Sequence, residues 1–113
     1  MVQRMLEMQM AMQVNNKKQV FERIDENRAV FVSMGVERIG LFGSFVRGEN
    51  TNESDVDVLV EFKSGEKTFD NFMNLAFFLE DVFGRKVDLV TRESLSPFIG
   101  PKILAEVEYD VID

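Results

Sequence analysis

Residues 36–62 read VERIGLFGSFVRGENTNESDVDVLVEF, two apolar runs separated by a polar turn. The first run, Val36–Phe42, carries Ile39, Leu41 and Phe42 and ends at Gly43-Ser44, which predicts a short strand closing on a tight turn. Residues 47–54 are polar and rich in turn formers. From Asp55 the chain alternates. Val56, Val58, Val60 and Phe62 share one face, while Asp55, Asp57, Leu59 and Glu61 share the other, the period of a strand. Asp55 and Asp57, at i and i+2, therefore project from one side with their Cα atoms roughly 7 Å apart.

Moving outward, residues 17–34 place Val20, Phe21, Ile24, Phe31 and Met34 at helical spacing, with Gly35 where a C-terminal cap belongs. Residues 68–83 predict a second helix, with Phe69, Phe72, Met73, Ala76, Leu79, Val82 and Phe83 on one broad face and Gly84 after it. Phe at that spacing reads as core, because each ring buries a large apolar area. Residues 86–91 predict a strand with Asp88 at its centre, a short helix begins near Pro101, and residues 109–112 form a last strand. Helices interleaved with strands predict an α/β (α+β) domain, a small mixed β-sheet flanked by helices. The opening residues MVQRMLEMQMAMQV stand apart. Met1, Met5, Met8 and Met12 follow one helical face, which suits either a partner-binding stripe or a terminal tail. The expected division is a Met-rich extension over residues 1–16 and one folded domain over residues 17–113.

Composition narrows the chemistry. The 113 residues include 20 Asp plus Glu against 13 Lys plus Arg, a net charge of −7, and no Cys, His or Trp. That excludes disulfides, thiolate nucleophiles, Cys/His zinc sites and His-based triads. Any catalysis must lean on carboxylates, with a hard metal ion as the natural helper. The acidic balance opposes binding to long nucleic acids, which needs clustered Lys and Arg. A 45% hydrophobic content with 11 Phe supplies a core. No apolar run reaches the roughly 18 residues of a membrane span, and no secretion signal is visible, so the expected setting is soluble and cytoplasmic.

Three pieces carry the candidate chemistry. Asp55 and Asp57 fit a divalent-cation clamp, although the same pair also fits a solvated strand face. Asp88 sits in an apolar strand that disfavours Asp, so it points to a partner or a metal if buried, and to water if it lies on an edge. The Gly43-Ser44 turn offers backbone N–H groups and a hydroxyl to an anion such as phosphate. Arg47 suits bidentate anion binding or, alternatively, bracing of the turn. Two familiar loops are excluded. Gly43 and Gly48 are followed by Glu49 and Asn50 rather than Lys and Ser/Thr, so this is no P-loop. A calcium loop starting at Asn50 would put Asp55 where Gly is required.

Together, Gly43-Ser44, ten intervening residues and Asp55-x-Asp57 resemble the signature of the DNA polymerase beta-like nucleotidyltransferases. More narrowly, GSFVRGENTNESDVDVLVEF resembles the minimal nucleotidyltransferases, the MNT antitoxin partners of HEPN-domain toxins. The resemblance covers all but the Met-rich tail; Val46 departs from it, where a smaller residue, often Ala, is usual. It implies the polymerase beta palm-like fold. It also implies nucleotide binding by Gly43, Ser44, Arg47 and Ser54, with Ser54 alternatively orienting Asp55 through a local hydrogen bond. It implies Mg²⁺ at Asp55, Asp57 and Asp88, with Asp88 also orienting or deprotonating the attacking hydroxyl. The implied activity is transfer of AMP from ATP to a hydroxyl, a tyrosine, of a HEPN-type toxin, in a hetero-oligomer with that partner or in a homodimer. Two alternatives stand beside it: an antitoxin that neutralises its partner by binding alone, and a transferase acting on a small acceptor such as an aminoglycoside.

Overall fold

The computed structural model describes residues 13–113. The Met stripe expected at the N-terminus lies outside the described residues up to position 12. Val14 does not behave as part of a tail. It is fully buried in the core, and its N–H donates to the Phe83 carbonyl at 3.0 Å. The expected extension over residues 1–16 therefore overlaps the packed unit at Val14.

Helix α1, Lys17–Glu26, starts at Asn16, whose side-chain oxygen accepts from the Gln19 N–H at 2.9 Å. The single helix expected over residues 17–34 is in fact two, because α1 stops at Asn27 and α2 runs Arg28–Ser33. The Asn27 amide donates to the Arg23 carbonyl at 2.8 Å, a local bond that competes with the helical pattern.

Four strands follow: β1 Val36–Phe42, β2 Val56–Phe62, β3 Val87–Thr91 and β4 Glu108–Val111. Between them lie α3 Ser44–Arg47, α4 Phe69–Phe83, a 3₁₀ turn Arg92–Ser94 and α5 Gly100–Glu106. The sheet order is β3-β2-β1-β4. β1 is antiparallel to β2 and to β4, whereas β2 and β3 are parallel. A parallel pair needs a crossover, and α4 supplies it. Thr68 caps α4 by accepting from the Asn71 N–H at 3.1 Å, and Gly84 ends it in the left-handed region.

One sheet face meets α1, α2 and α4. Val20, Ile24, Phe31, Ile39, Leu41, Val58, Val60, Leu75, Leu79 and Phe83 form its core. Phe31 meets Phe78 edge to face, with ring centroids 5.4 Å apart. The reading of α4 as wholly core-facing is corrected in its first turns. Phe69 is 77% exposed, and burial begins at Leu75, a residue outside the expected face. Leu59 also departs from its polar neighbours: it is fully buried on the face it shares with Asp57 and Glu61. Gly40, paired with Leu59, lies beneath Val107 and Tyr109, so α5 and β4 partly cover this second face.

These packings predict unequal costs for similar residues. Phe31→Ala is expected to lose about 3–5 kcal/mol in urea denaturation. Phe69→Ala is expected to stay within about 0.5 kcal/mol of the parent.

Candidate active site

The topology gathers four connections at one end of the sheet. β1 exits there at Phe42, and β2, β3 and β4 all enter there. Phe42 pairs with Asp57 across β1 and β2, and Asp57 pairs with Asp88 across β2 and β3. Side chains at paired positions share a face. Two carboxylates thus stand on neighbouring strands next to the turn that follows Phe42. Asp55 precedes β2 by one residue and is exposed, as is Asp88.

Gly43 is tied to this pair by shape. Its φ is +75° and ψ −150°, a conformation few side chains tolerate, and a Cβ here would meet the Asp57 Oδ2 at 2.0 Å. The turn can lie against the carboxylate only because position 43 has no side chain. Ser44 opens α3, whose buried Phe45 anchors the turn in the core.

Electrostatics marks Asp57. Its carboxyl is pushed up from the usual 3.8 to about 6, first by burial, then by the negative charges of Asp88 and Asp55, with Glu106 adding to the rise and Arg47 opposing it. Such a cluster of like charges is what a divalent cation neutralises. Among the described residues, no three acidic side chains are already drawn together tightly enough to hold a metal. The fit to a cation therefore rests on the Asp57–Asp88 pairing and on the charge interaction with Asp55.

Arg47 is engaged within the protein. Its Nε donates to Glu49 at 2.8 Å, and its Nη1 donates to both Glu106 oxygens at 2.9 and 3.1 Å. Ser54 is used locally, since its Oγ accepts from the Thr51 N–H at 2.8 Å. The bond runs to Thr51 and not to Asp55, so the hydroxyl braces the loop that precedes Asp55.

Two residues of the site were not singled out by sequence reasoning. Glu106 accepts from the Gly43 N–H at 2.5 Å as well as from Arg47. Arg85 is 7% exposed, and its guanidinium donates to the carbonyls of Val14, Thr51, Asn52 and Ser54 at 2.7–3.2 Å. It also lies 5.2 Å from the centre of the Phe45 ring. Arg85 thereby holds the loop before Asp55 and touches the anchor of the Gly43 turn. The only sequence cue was a cation directly after the helix-ending Gly84, too common to mark a buried residue.

The family profile of the nucleotidyltransferase domain matches residues 17–110. The chain belongs to the nucleotidyltransferase family. It is 45% identical over 75 residues to the protein adenylyltransferase MntA of Thermococcus cleftensis, covering 66% of this chain and 75% of that protein. It is 41% identical over 78 residues to a candidate protein adenylyltransferase of Methanocaldococcus jannaschii, covering 68% and 75%. Among solved structures, one described as a candidate minimal nucleotidyltransferase aligns with a TM-score of 0.71 at 30% identity, over 83% of this chain and 95% of that one. A toxin–antitoxin complex with AMP-PNP shares the fold, with a TM-score of 0.59 at 22% identity, covering 84% and 72%. Among the described residues of this nucleotidyltransferase, no helix is long and apolar enough to cross a membrane.

Two outcomes are expected. Folded Asp57 holds its proton to higher pH than the unfolded chain does, so between about pH 4 and 6 its contribution to stability falls as pH rises. In metal-free buffer, Asp57→Asn should therefore raise Tm at pH 7.5 and lose most of that gain at pH 4.5. Arg85→Ala should lower stability by about 2–3 kcal/mol, as read by urea denaturation, because it removes the donor to one buried and three part-buried carbonyls.

Proposed function

We propose that this nucleotidyltransferase is a protein adenylyltransferase of the antitoxin type, moving AMP from ATP to a hydroxyl, a tyrosine, of a HEPN-type toxin in the cytoplasm. The observation that carries the reading is the seating of Gly43 against the Asp57 carboxylate, with Asp88 in register beside it. A phosphate-binding turn and a carboxylate pair then share one end of the sheet. The names of the relatives support protein adenylylation. Proteins of the same fold include an MNT antitoxin in complex with a tri-AMPylated HEPN toxin of Shewanella oneidensis, at a TM-score of 0.50.

In this reading the Gly43 N–H, Ser44 and Arg47 hold the β- and γ-phosphate oxygens of ATP, and the loop braced by Ser54 borders them. Asp55, Asp57 and Asp88 would hold Mg²⁺, which would supply charge neutralisation for the phosphates and make the acceptor hydroxyl easier to deprotonate. Asp88, the more exposed of the paired carboxylates, orients the acceptor hydroxyl and takes its proton. A bond forms between the acceptor oxygen and the α-phosphorus, the α–β phosphoanhydride breaks, and pyrophosphate leaves. Positioning and charge neutralisation suffice for this chemistry, which suits a chain without His or Cys.

The test uses the chain, ATP, Mg²⁺ and a HEPN-type protein as acceptor, with intact-mass spectrometry of that acceptor. One or more added AMP groups are expected, lost on chelation and reduced on the order of a hundredfold or more by Asp57→Asn. No adduct, together with full neutralisation of the partner by Asp57→Asn, would replace this reading with neutralisation by binding alone.

A further inference from the structure

The turn assigned above to phosphate already holds an anion of the protein's own. Glu106, the last residue of α5, accepts the Gly43 N–H at 2.5 Å and faces Arg47 Nη1 with both oxygens, at 2.9 and 3.1 Å. A carboxylate on a backbone N–H and a guanidinium uses the same donors that a phosphate oxygen uses. We propose that Glu106 is a resident competitor for the nucleotide's phosphates, occupying the anion seat of the Gly43–Arg47 turn and setting the affinity for the donor nucleotide. The inference rests on the reading of that turn as the phosphate site and is independent of which acceptor is modified.

Three observations favour a displaceable occupant over a fixed strut. First, the Glu106 and Arg47 side chains keep 27% and 48% of their surface exposed, and partly exposed ion pairs are weak. A polyphosphate carrying several charges can therefore displace a single carboxylate. Second, an acidic side chain at a helix C-terminus opposes the helix dipole, so the contacts with Gly43 and Arg47, and not α5 itself, hold Glu106 in place. Third, a cavity of about 300 Å³ adjoins the turn, bordered by Phe42, Gly43, Arg47, Lys102, Ile103 and Glu106. Lys102 supplies a cation on its wall, and Arg47 stays oriented by Glu49 when Glu106 leaves.

The consequence is a threshold. Only a ligand with enough charge to take both donors replaces Glu106, which favours triphosphates over ligands with fewer charges.

Calorimetric titration tests this with two probes, ATP and inorganic tripolyphosphate, at fixed Mg²⁺ and ionic strength. The proteins are the parent chain, Glu106→Ala, Glu106→Gln and Glu108→Gln, each first checked for an unchanged circular dichroism spectrum. Glu108 is a carboxylate two residues on that pairs with Lys17. Both Glu106 variants should bind both probes on the order of tenfold more tightly, while Glu108→Gln changes affinity less than about twofold. Unchanged or weaker binding in the Glu106 variants overturns the proposal, and so does equal tightening in Glu108→Gln, which would mark a general charge effect. If the parent binds ATP normally and the Glu106 variants match it, only this inference fails. If no variant binds either probe, the phosphate reading of the turn fails and the inference falls with it.

Discussion

The contact between Gly43 and the Asp57 carboxylate organises this molecule. It requires a residue without a side chain in a backbone conformation few others adopt, placed where β1 ends, and a carboxylate at the second position of β2. The antiparallel pairing of Phe42 with Asp57 puts the two together, and the parallel pairing of Asp57 with Asp88 adds the second acid. A slip of one residue in either register would turn Asp57 into the hydrophobic core and Val56 or Val58 towards the site. The buried valines of β2 therefore protect the chemistry as well as the fold, by making every other register expensive.

That arrangement carries a cost which the core offsets. Asp57 is partly desolvated and faces two further acids, an environment that opposes its ionisation. The apolar face beneath it, from Ile39 and Val58 to Leu79 and Phe83, supplies the burial that keeps the strands in place despite the repulsion. Sites built this way are strained until a ligand of opposite charge arrives, and stability lost to the site is regained elsewhere.

Much of this was legible in the chain. The alternation of Val56, Val58 and Val60 marks a strand because it is local pattern, whereas Gly43-Ser44 with Asp55 and Asp57 stands out as a site only through its resemblance to the nucleotidyltransferase signature. Asp88 was visible as a polar residue out of place, though not its pairing with Asp57, which depends on strand order. The break at Asn27 was missed because the hydrophobic period runs straight through it, while a side-chain bond to Arg23 decides the geometry. Exposure of Phe69 depends on where α4 meets the sheet, which the helix's own period does not encode. Glu106 and Arg85 lie far along the chain from the groups they touch. Contacts over such separations leave no periodic trace, and an acid or a cation on an acidic surface draws no attention.

Arg85 joins parts of the chain that lie far apart in sequence. Through one guanidinium, the carbonyl of Val14 at the entrance to the domain shares its donor group with the carbonyls of Thr51 and Ser54 in the loop before Asp55. The segment at Val14 is thus mechanically coupled to the end of the sheet that carries the candidate site. Engineering of this protein inherits that linkage: trimming past Val14 removes a strut of the candidate site even though no residue of the site itself is cut away.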